Sequence, residues 1–600
     1  MSPFIRFAPR RQLCRTVIAG FLFSVTSLTA AQSPEAIDPN QADPERRKIL
    51  SLIETLETLG DDQRLLAAET FDVAWAMAVQ GEDPVLNLNT DLGEMLKPGQ
   101  HEVNAGARSR LQSVYEQSSD AIRQSYEEFA ANGAKTALRD ALNQGDTGDL
   151  IQVILRYQFT EAGQQALKNV IQLRLSRGEV LQAALQFGRL MRLQRDESAQ
   201  SLVQLSTLWW RAGLPEEAAD YLAVAAGKYS GEKITLSGRV ATVPATDEDL
   251  RGWLQQNSGA AIANSDNPTW QQVWGNYRRT GTQAMGPAGL DKTWTVSGYR
   301  CEECVDCMEG DEINRLLEPM KNRLDDYFRR GLTANETVSP VAQPIVVNDL
   351  LIFRGAAKIL AVDRKSGELA WETALIDRNL NAALELWRRV GMDDQSNLTE
   401  IHRIIEPRLF YGSIRDNASG QLTSNGRLVF AVEPATAEPL SLDHDARGMP
   451  SQRPVNYLRA YDVATGELKG QAGGPVGLSS GSPVNPLAGM YFLGAPLVMG
   501  ERIYVIAEND QGIFLLQLKA ASLFENEGQI DMRPVRSQLL SIPRYGLEIH
   551  PVRRFAGVIP SYSGGLLICN TVDEQVIAIS AEDHSLRWMI DIRATSPLRK

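Results

Sequence analysis

The segment "ILAVDRKSGELAWE", Ile359 to Glu372, carries a short apolar run, an Asp, a polar turn closed by Gly367, and a second short run that reaches Trp371. The same order returns at "YLRAYDVATGELKG", Tyr457 to Gly470, where Ala460, Asp462 and Gly466 stand at the offsets of Ala361, Asp363 and Gly367. A hairpin that recurs at matching offsets is a repeat unit, and such units bury their apolar faces by stacking on one another. Each residue type has a structural task. Asp363 can accept hydrogen bonds from backbone N–H groups two residues on, Gly367 supplies a positive φ, and Trp371 is a plate for wedging between neighbouring units.

Around the first copy, "PIVVNDLLIFRGAAKILAVDRKSGELAWET" holds three runs rich in Val, Ile, Leu and Phe, separated by turn residues. Both faces of "ILAV" are apolar, and a strand buried on both sides needs sheet stacked on sheet, as in the blades of a propeller. Four copies can be placed. The first spans about 344 to 373; the second runs from "NGRLVFAVEP" to Gly470, with glycine where the first has Trp371. The third has Lys519 for the Asp and Leu523 for the Gly; the fourth has Ser580 and His584 at those positions and restores the aromatic plate at Trp588.

The motif Ala-x-Asp-x-x-Thr-Gly-x-x-x-Trp resembles the repeat of pyrroloquinoline-quinone-type (PQQ-like) β-propellers. That family includes quinoprotein alcohol dehydrogenases and the propeller subunit of the bacterial outer-membrane β-barrel assembly machinery. The resemblance covers about 270 to 592, and "WQQVWGNYRRTGTQAMGPAGLDKTWTV", which contains Trp294, is similar to the segment that opens such propellers. It implies a PQQ-like propeller over 269–600. A blade takes about 40 to 45 residues and a ring about 4 to 8 blades. Four repeat cores therefore predict a partial ring with an open edge, in which the strand near Trp294 does not pair with the region after Ser561. "DEINRLLEPMKNRLDDYFRRG" and "NLNAALELWRRVG" have helical spacing and are insertions that could roof one face.

Upstream, residues 44–229 have the three-and-four apolar spacing of amphipathic helices. "LRLSRGEVLQAALQFGRLM" and "LWWRAGLPEEAADYLAVAA" align without gaps, with Gly178 and Gly213 35 residues apart, as are Ala183 and Ala218. Gly in a tight interhelical turn and Ala at a close helix crossing resemble the tetratricopeptide repeat (TPR). The fold class expected is thus an all-α TPR-like region followed by an all-β PQQ-like propeller, joined by a polar, Gly-, Ser- and Pro-containing linker over 230–268.

Residues 1–31 have a basic start, an apolar run short of the ~20 residues a spanning helix needs, and small residues before Gln32. This reads as a secretory signal, and no transmembrane span is expected in the mature chain. The net charge of -13 repels phosphate backbones and speaks against nucleic acid. The five His are scattered without ligand spacing. "CEECVDC" places two residues between Cys301 and Cys304 and two between Cys304 and Cys307. In an exported protein that pattern is compatible with a disulfide plus a leftover thiol, with a thiolate metal site, or with neither.

For the quinoprotein dehydrogenases the resemblance implies a bound quinone, a calcium ion on acidic and amide oxygens, a catalytic aspartate and an adjacent Cys-Cys disulfide. The sequence has no adjacent cysteine pair. A Gly-x-Ser-x-Gly spacing occurs once, at Gly477 to Gly481, in a stretch that reads as a flexible turn and whose serines lack an identifiable base, and no phosphate loop or His-Glu-x-x-His occurs. The expectation is a non-catalytic scaffold of the periplasm or cell envelope that binds proteins through its helical repeats and propeller face, with no cofactor. The alternative is a PQQ-dependent, calcium-requiring quinoprotein oxidoreductase.

Overall fold

The computed structural model describes residues 44–80, 85–87, 103–236, 238–246, 249–258, 271–279, 294, 296, 308–333, 342–373, 377–390, 395–434, 453–476, 486–522, 530–543, 545–548, 550–572 and 575–591. The signal expected over 1–31 and Cys301, Cys304 and Cys307 lie outside them. Residues 1–48 form one unit, of which only the first residues of helix α1 (Pro44–Thr58) are described; residues 49–600 form the other.

Helices dominate the first part of the larger unit: α2 (Arg64–Gln80), α3 (Ala107–Gln117), α4 (Asp120–Gln144), α5 (Thr147–Tyr157), α6 (Glu161–Ser176), α7 (Val180–Gln194), α8 (Ala199–Arg211) and α9 (Pro215–Tyr229). Side-chain oxygens of Ser119, Asp146, Thr160 and Ser198 accept from backbone N–H groups at the starts of α4, α5, α6 and α8. These bonds satisfy donors that a helix start leaves open.

The hairpins α6–α7 and α8–α9 share the bonds that close their turns. Gly178 N–H donates to Leu175 and Glu179 N–H to Arg174; 35 positions on, Gly213 donates to Trp210 and Leu214 to Trp209. Gly178 and Gly213 have φ of 76° and 78°, the left-handed conformation that ends a helix and that glycine adopts without strain. Ala183 and Ala218, five residues on, are fully buried. Farther upstream, Phe71, Trp75, Tyr115, Tyr126 and Phe159 form an aromatic core of mostly edge-on contacts.

Between α2 and α3 the chain forms two short strands, β1 (Val85–Asn87) and β2 (Val103–Gly106). The stretch read as linker is folded where it is described. Strands β3 (Lys233–Leu236) and β4 (Arg239–Thr242) pair as a hairpin, and α10 (Leu250–Ser258) buries Leu254 in the core shared with α8 and α9. Its turn-rich composition signalled the hairpin, not a spacer.

Several antiparallel sheets follow. Sheet I is β5 (Ile345–Val347), β6 (Leu350–Arg354), β7 (Ile359–Asp363) and β8 (Leu369–Glu372). Helices α11 (Met308–Thr333), α12 (Arg378–Val390), α13 (Gln395–Arg415) and α14 (Asn417–Gly420) flank it in sequence. Sheet II is β9 (Leu422–Ser424), β10 (Leu428–Pro434), β11 (Asn456–Asp462) and β12 (Leu468–Gly473). Sheet III contains β13 (Tyr491–Phe492), β14 (Leu497–Met499), β15 (Arg502–Asn509), β16 (Gly512–Ser522) and β17 (Ile530–Ser541). After α15 (Pro551–Phe555), sheet IV is β18 (Ser561–Ser563), β19 (Leu566–Asn570), β20 (Gln575–Ser580) and β21 (Leu586–Asp591). The four expected repeats thus fall on four sheets, each strand joined mainly to its sequence neighbour.

The described residues form no closed barrel or propeller. The edge expected to stand open at the end of the fourth repeat is covered from within the chain. Val103 and Asn104 of β2 pair with Ile590 and Met589 of β21, and β1 pairs with β2 beyond it. Trp294, expected at the end of a strand, is in none. The two insertions read as helical, together with the unread α13, pack around Leu316, Met320, Leu384, Trp387 and Ile405 as a separate core.

Candidate functional site

The repeat turn is built as its residue types require. Asp363 Oδ1 accepts from the N–H groups of Lys365 (2.9 Å) and Ser366 (2.8 Å); Asp462 Oδ1 accepts from Ala464 (2.8 Å) and Thr465 (3.1 Å). The Ser366 and Lys365 amides hold the Asp363 carboxyl below its usual range. Gly367 and Gly466 have φ of 76° and 71°. Trp294 lies over Gly367 and donates its indole N–H to the Arg364 carbonyl at 3.2 Å; Trp371 lies over Gly466 and donates to Val463 at 2.7 Å. Each Trp therefore docks on the turn of the following sheet.

The other copies diverge as their sequences do. At Gly470, where the second copy lacks a Trp, the Ile530 carbonyl from sheet III comes so close that a Cβ would sit 2.6 Å from it. In the third copy β16 runs straight through Lys519, paired with Arg502 and Arg533. Leu523 lies outside the described residues. The fourth copy keeps the backbone without the signature. His584 donates its N–H to the Ser580 carbonyl as Gly367 does to Asp363, and has φ of 59°. Ala361, Ala460 and Ala578 are buried and pair with Trp371, Gly470 and Trp588, each beside a bulge.

A segment of the expected propeller opening ties three sheets together. The Gln271 carbonyl accepts from Ser424 of β9, and the Gln272 amide group bonds both backbone groups of Val498 in β14. The Tyr277 carbonyl accepts from Tyr562 of β18. Arg279 donates to the carbonyls of Val273 (2.8 Å) and Pro560 (3.2 Å), and burial lowers its guanidinium to about 9.

A cavity of about 390 Å³ lies between the helical insertions and sheet I. Met320, Leu351, Phe353 and Leu409 supply apolar wall; Arg354, Asp377 and Asp416 supply charge. Asp377 Oδ1 caps α12 by accepting from Asn379 (2.9 Å) and Leu380 (3.1 Å), while Asp416 caps α14 through Ser419 N–H (3.1 Å) and Oγ (2.6 Å). Burial pushes both carboxyls up, against those hydrogen bonds and the charge of Arg354. Arg354 is ion-paired with Glu433 at 3.3 Å, and Glu433 also binds Arg459 and accepts from the Tyr461 hydroxyl at 2.9 Å. Burial pushes Glu433 up, but the two guanidiniums outweigh it and hold the carboxyl below its ordinary range. The repeat's residue types did not point to this cavity, because its walls come from sequence positions spread over 294–434.

This cavity does not fit the quinone and calcium that the resemblance to dehydrogenases implies. Its excess of carboxyls opposes an acidic quinone, and among the described residues no group of three His, Cys, Asp or Glu side chains could hold a metal ion. The repeat aspartates are spent on turn amides. Cys569 is a free, fully buried thiol on β19, pushed up to about 12 by burial. Among the described residues no helix is long and apolar enough to cross a membrane. On α2, Leu65, Leu66 and Val73 are exposed on one face, with Leu65 at 65%.

No family model and no curated protein matches the chain. Among solved structures, it is similar to a quinohemoprotein alcohol dehydrogenase from Pseudomonas putida HK5, at 13% identity over 41% of this chain and 33% of that one, with a TM-score of 0.21. A computationally designed protein, Ika8, matches at 9% identity over 41% of this chain and 47% of that one, with a TM-score of 0.19. The chain spans less than half the length of either.

Proposed function

We propose that this chain is an exported, non-catalytic scaffold of the bacterial cell envelope, combining TPR-like hairpins with a partial PQQ-like propeller. Protein partners bind its helical face. The observation that carries the reading is the Trp-on-Gly docking made twice, by Trp294 on Gly367 and by Trp371 on Gly466, which supports blade-like stacking of sheets. In the same turns Asp363 and Asp462 are committed to backbone amides rather than to a reacting group. The exposed row Leu65, Leu66 and Val73 offers apolar surface of the kind that marks protein contacts.

The test is a photo-crosslinking amino acid placed at Leu66 in the full chain expressed in its own cells, followed by fractionation. Discrete protein adducts in the envelope fraction, lost on adding Val73→Lys, are expected. A chain that yields no adduct, and that after incubation with pyrroloquinoline quinone and calcium shows a quinone absorbance band and alcohol-dependent dye reduction, overturns the reading in favour of the oxidoreductase.

A further inference from the structure

We propose that the cavity between α13 and β6 binds an amphiphilic organic cation: an apolar body carrying a protonated amine. The inference is independent of the scaffold reading. At about 390 Å³ the cavity is far larger than a water or metal site and falls in the range of small-molecule pockets. Met320, Leu351, Phe353 and Leu409 enclose an apolar body, as such pockets do when a few polar groups fix orientation.

The polar end selects the sign of the ligand. Three carboxyls, Asp377, Asp416 and Glu433, face two guanidiniums, Arg354 and Arg459, and both guanidiniums are paired to Glu433. The excess negative charge therefore rests on Asp377 and Asp416, the two carboxyls that line the cavity. Asp377 spends Oδ1 on both amides of the α12 cap. The charge of Arg354, already paired with Glu433, reaches these half-buried carboxyls only in part, and an ammonium group adds both a positive charge and a charge-assisted donor. An anion would meet the excess negative charge, and a neutral ligand would bring no charge to offset it.

Calorimetric titration of the full chain with 2-phenylethylamine, and with 2-phenylethanol and phenylacetate as neutral and anionic counterparts, tests this. The amine is expected to bind at one site, the alcohol at least about tenfold more weakly, and phenylacetate without measurable heat. Asp377→Asn retains the α12 cap, since Asn caps helices as Asp does. It should weaken the amine about tenfold and leave the alcohol unchanged. Gly412 lies on the cavity wall, and a Cβ there meets no atom within 4 Å. Gly412→Leu should abolish binding of both. Failure of the amine to bind at millimolar concentration, equal binding of phenylacetate, or amine binding that survives both substitutions in variants that melt like the parent overturns the proposal.

Discussion

Trp371 and Gly466 are a matched pair. The indole N–H of Trp371 reaches over the turn to the Val463 carbonyl at 2.7 Å, and a Cβ on Gly466 would sit 2.8 Å from the ring's Cδ2. Glycine at this position is thus required twice, once by its φ of 71° and once by the ring. Gly213, with φ of 78°, has open space at the same point. Gly213→Ala should cost only the left-handed backbone penalty, about 1–2 kcal/mol. Gly466→Ala should cost more, because the ring must also move. Denaturant unfolding of the two variants measures the difference, and equal losses would remove the docking argument.

Arg553 and Glu508 form the most deeply buried ion pair described, with side chains each 1% exposed and bonds of 2.6 and 3.0 Å. Burial pushes Glu508 up, and Arg553 opposes it. Arg553→Met leaves the carboxylate with only Arg453 at 3.7 Å, and breaking such a pair costs about 3–5 kcal/mol. The loss should shrink as pH falls toward 5, because a carboxyl raised further takes up a proton in the folded state. Adding Glu508→Gln should recover part of the stability. Unfolding curves in which the double variant is no more stable than the single would contradict this account.

What was legible in the sequence were the local periods. The turn at Asp363, its copy at Asp462, the hairpins around Gly178 and Gly213, and the helices over 308–333 and 378–390 all follow from spacing within one element and its turn. What was not legible is non-local. Strand β2 has four residues, too few for an alternation signal, and its partner β21 lies at the other end of the chain. The cavity joins residues from four helices and two strands. Residues 230–268 read as linker because turn residues in a short hairpin resemble those of a spacer.

His584 stands where the repeat wants glycine. It is 3% exposed, near the Tyr504 ring, and its Nδ1 has no hydrogen-bond partner. Burial, then the charge of Arg536, lowers its pKa to about 3. The unfolded chain protonates this imidazole below about pH 6.5, whereas the folded chain does not. Stability is therefore lost as pH falls from about 6.5 toward 3. His584→Asn keeps a residue that tolerates positive φ and removes the titration. The melting temperature of the variant should fall less than that of the parent between pH 7 and pH 5. Identical falls would show that His584 does not contribute to the acid response.

The cover on β21 rests on two residue pairs, Val103 with Ile590 and Asn104 with Met589, steadied by Arg587 donating to Gln112 of α3 at 3.0 Å. An uncovered strand edge presents a row of unpaired N–H and C=O groups and is a template for pairing with another chain. Proline cannot donate to a ladder, so Val103→Pro combined with Asn104→Pro should strip β2 from the sheet. The core of sheet IV should survive, because Tyr562, Leu567, Ile577 and Ile579 are buried in a cluster shared with α8, α9 and sheet III. The expected result is a folded variant with faster amide exchange at whichever of Met589 and Ile590 turns its N–H toward β2, and a mass in sedimentation that rises with protein concentration. A variant that stays monomeric with unchanged exchange at those two residues would mean that β2 does not guard the edge.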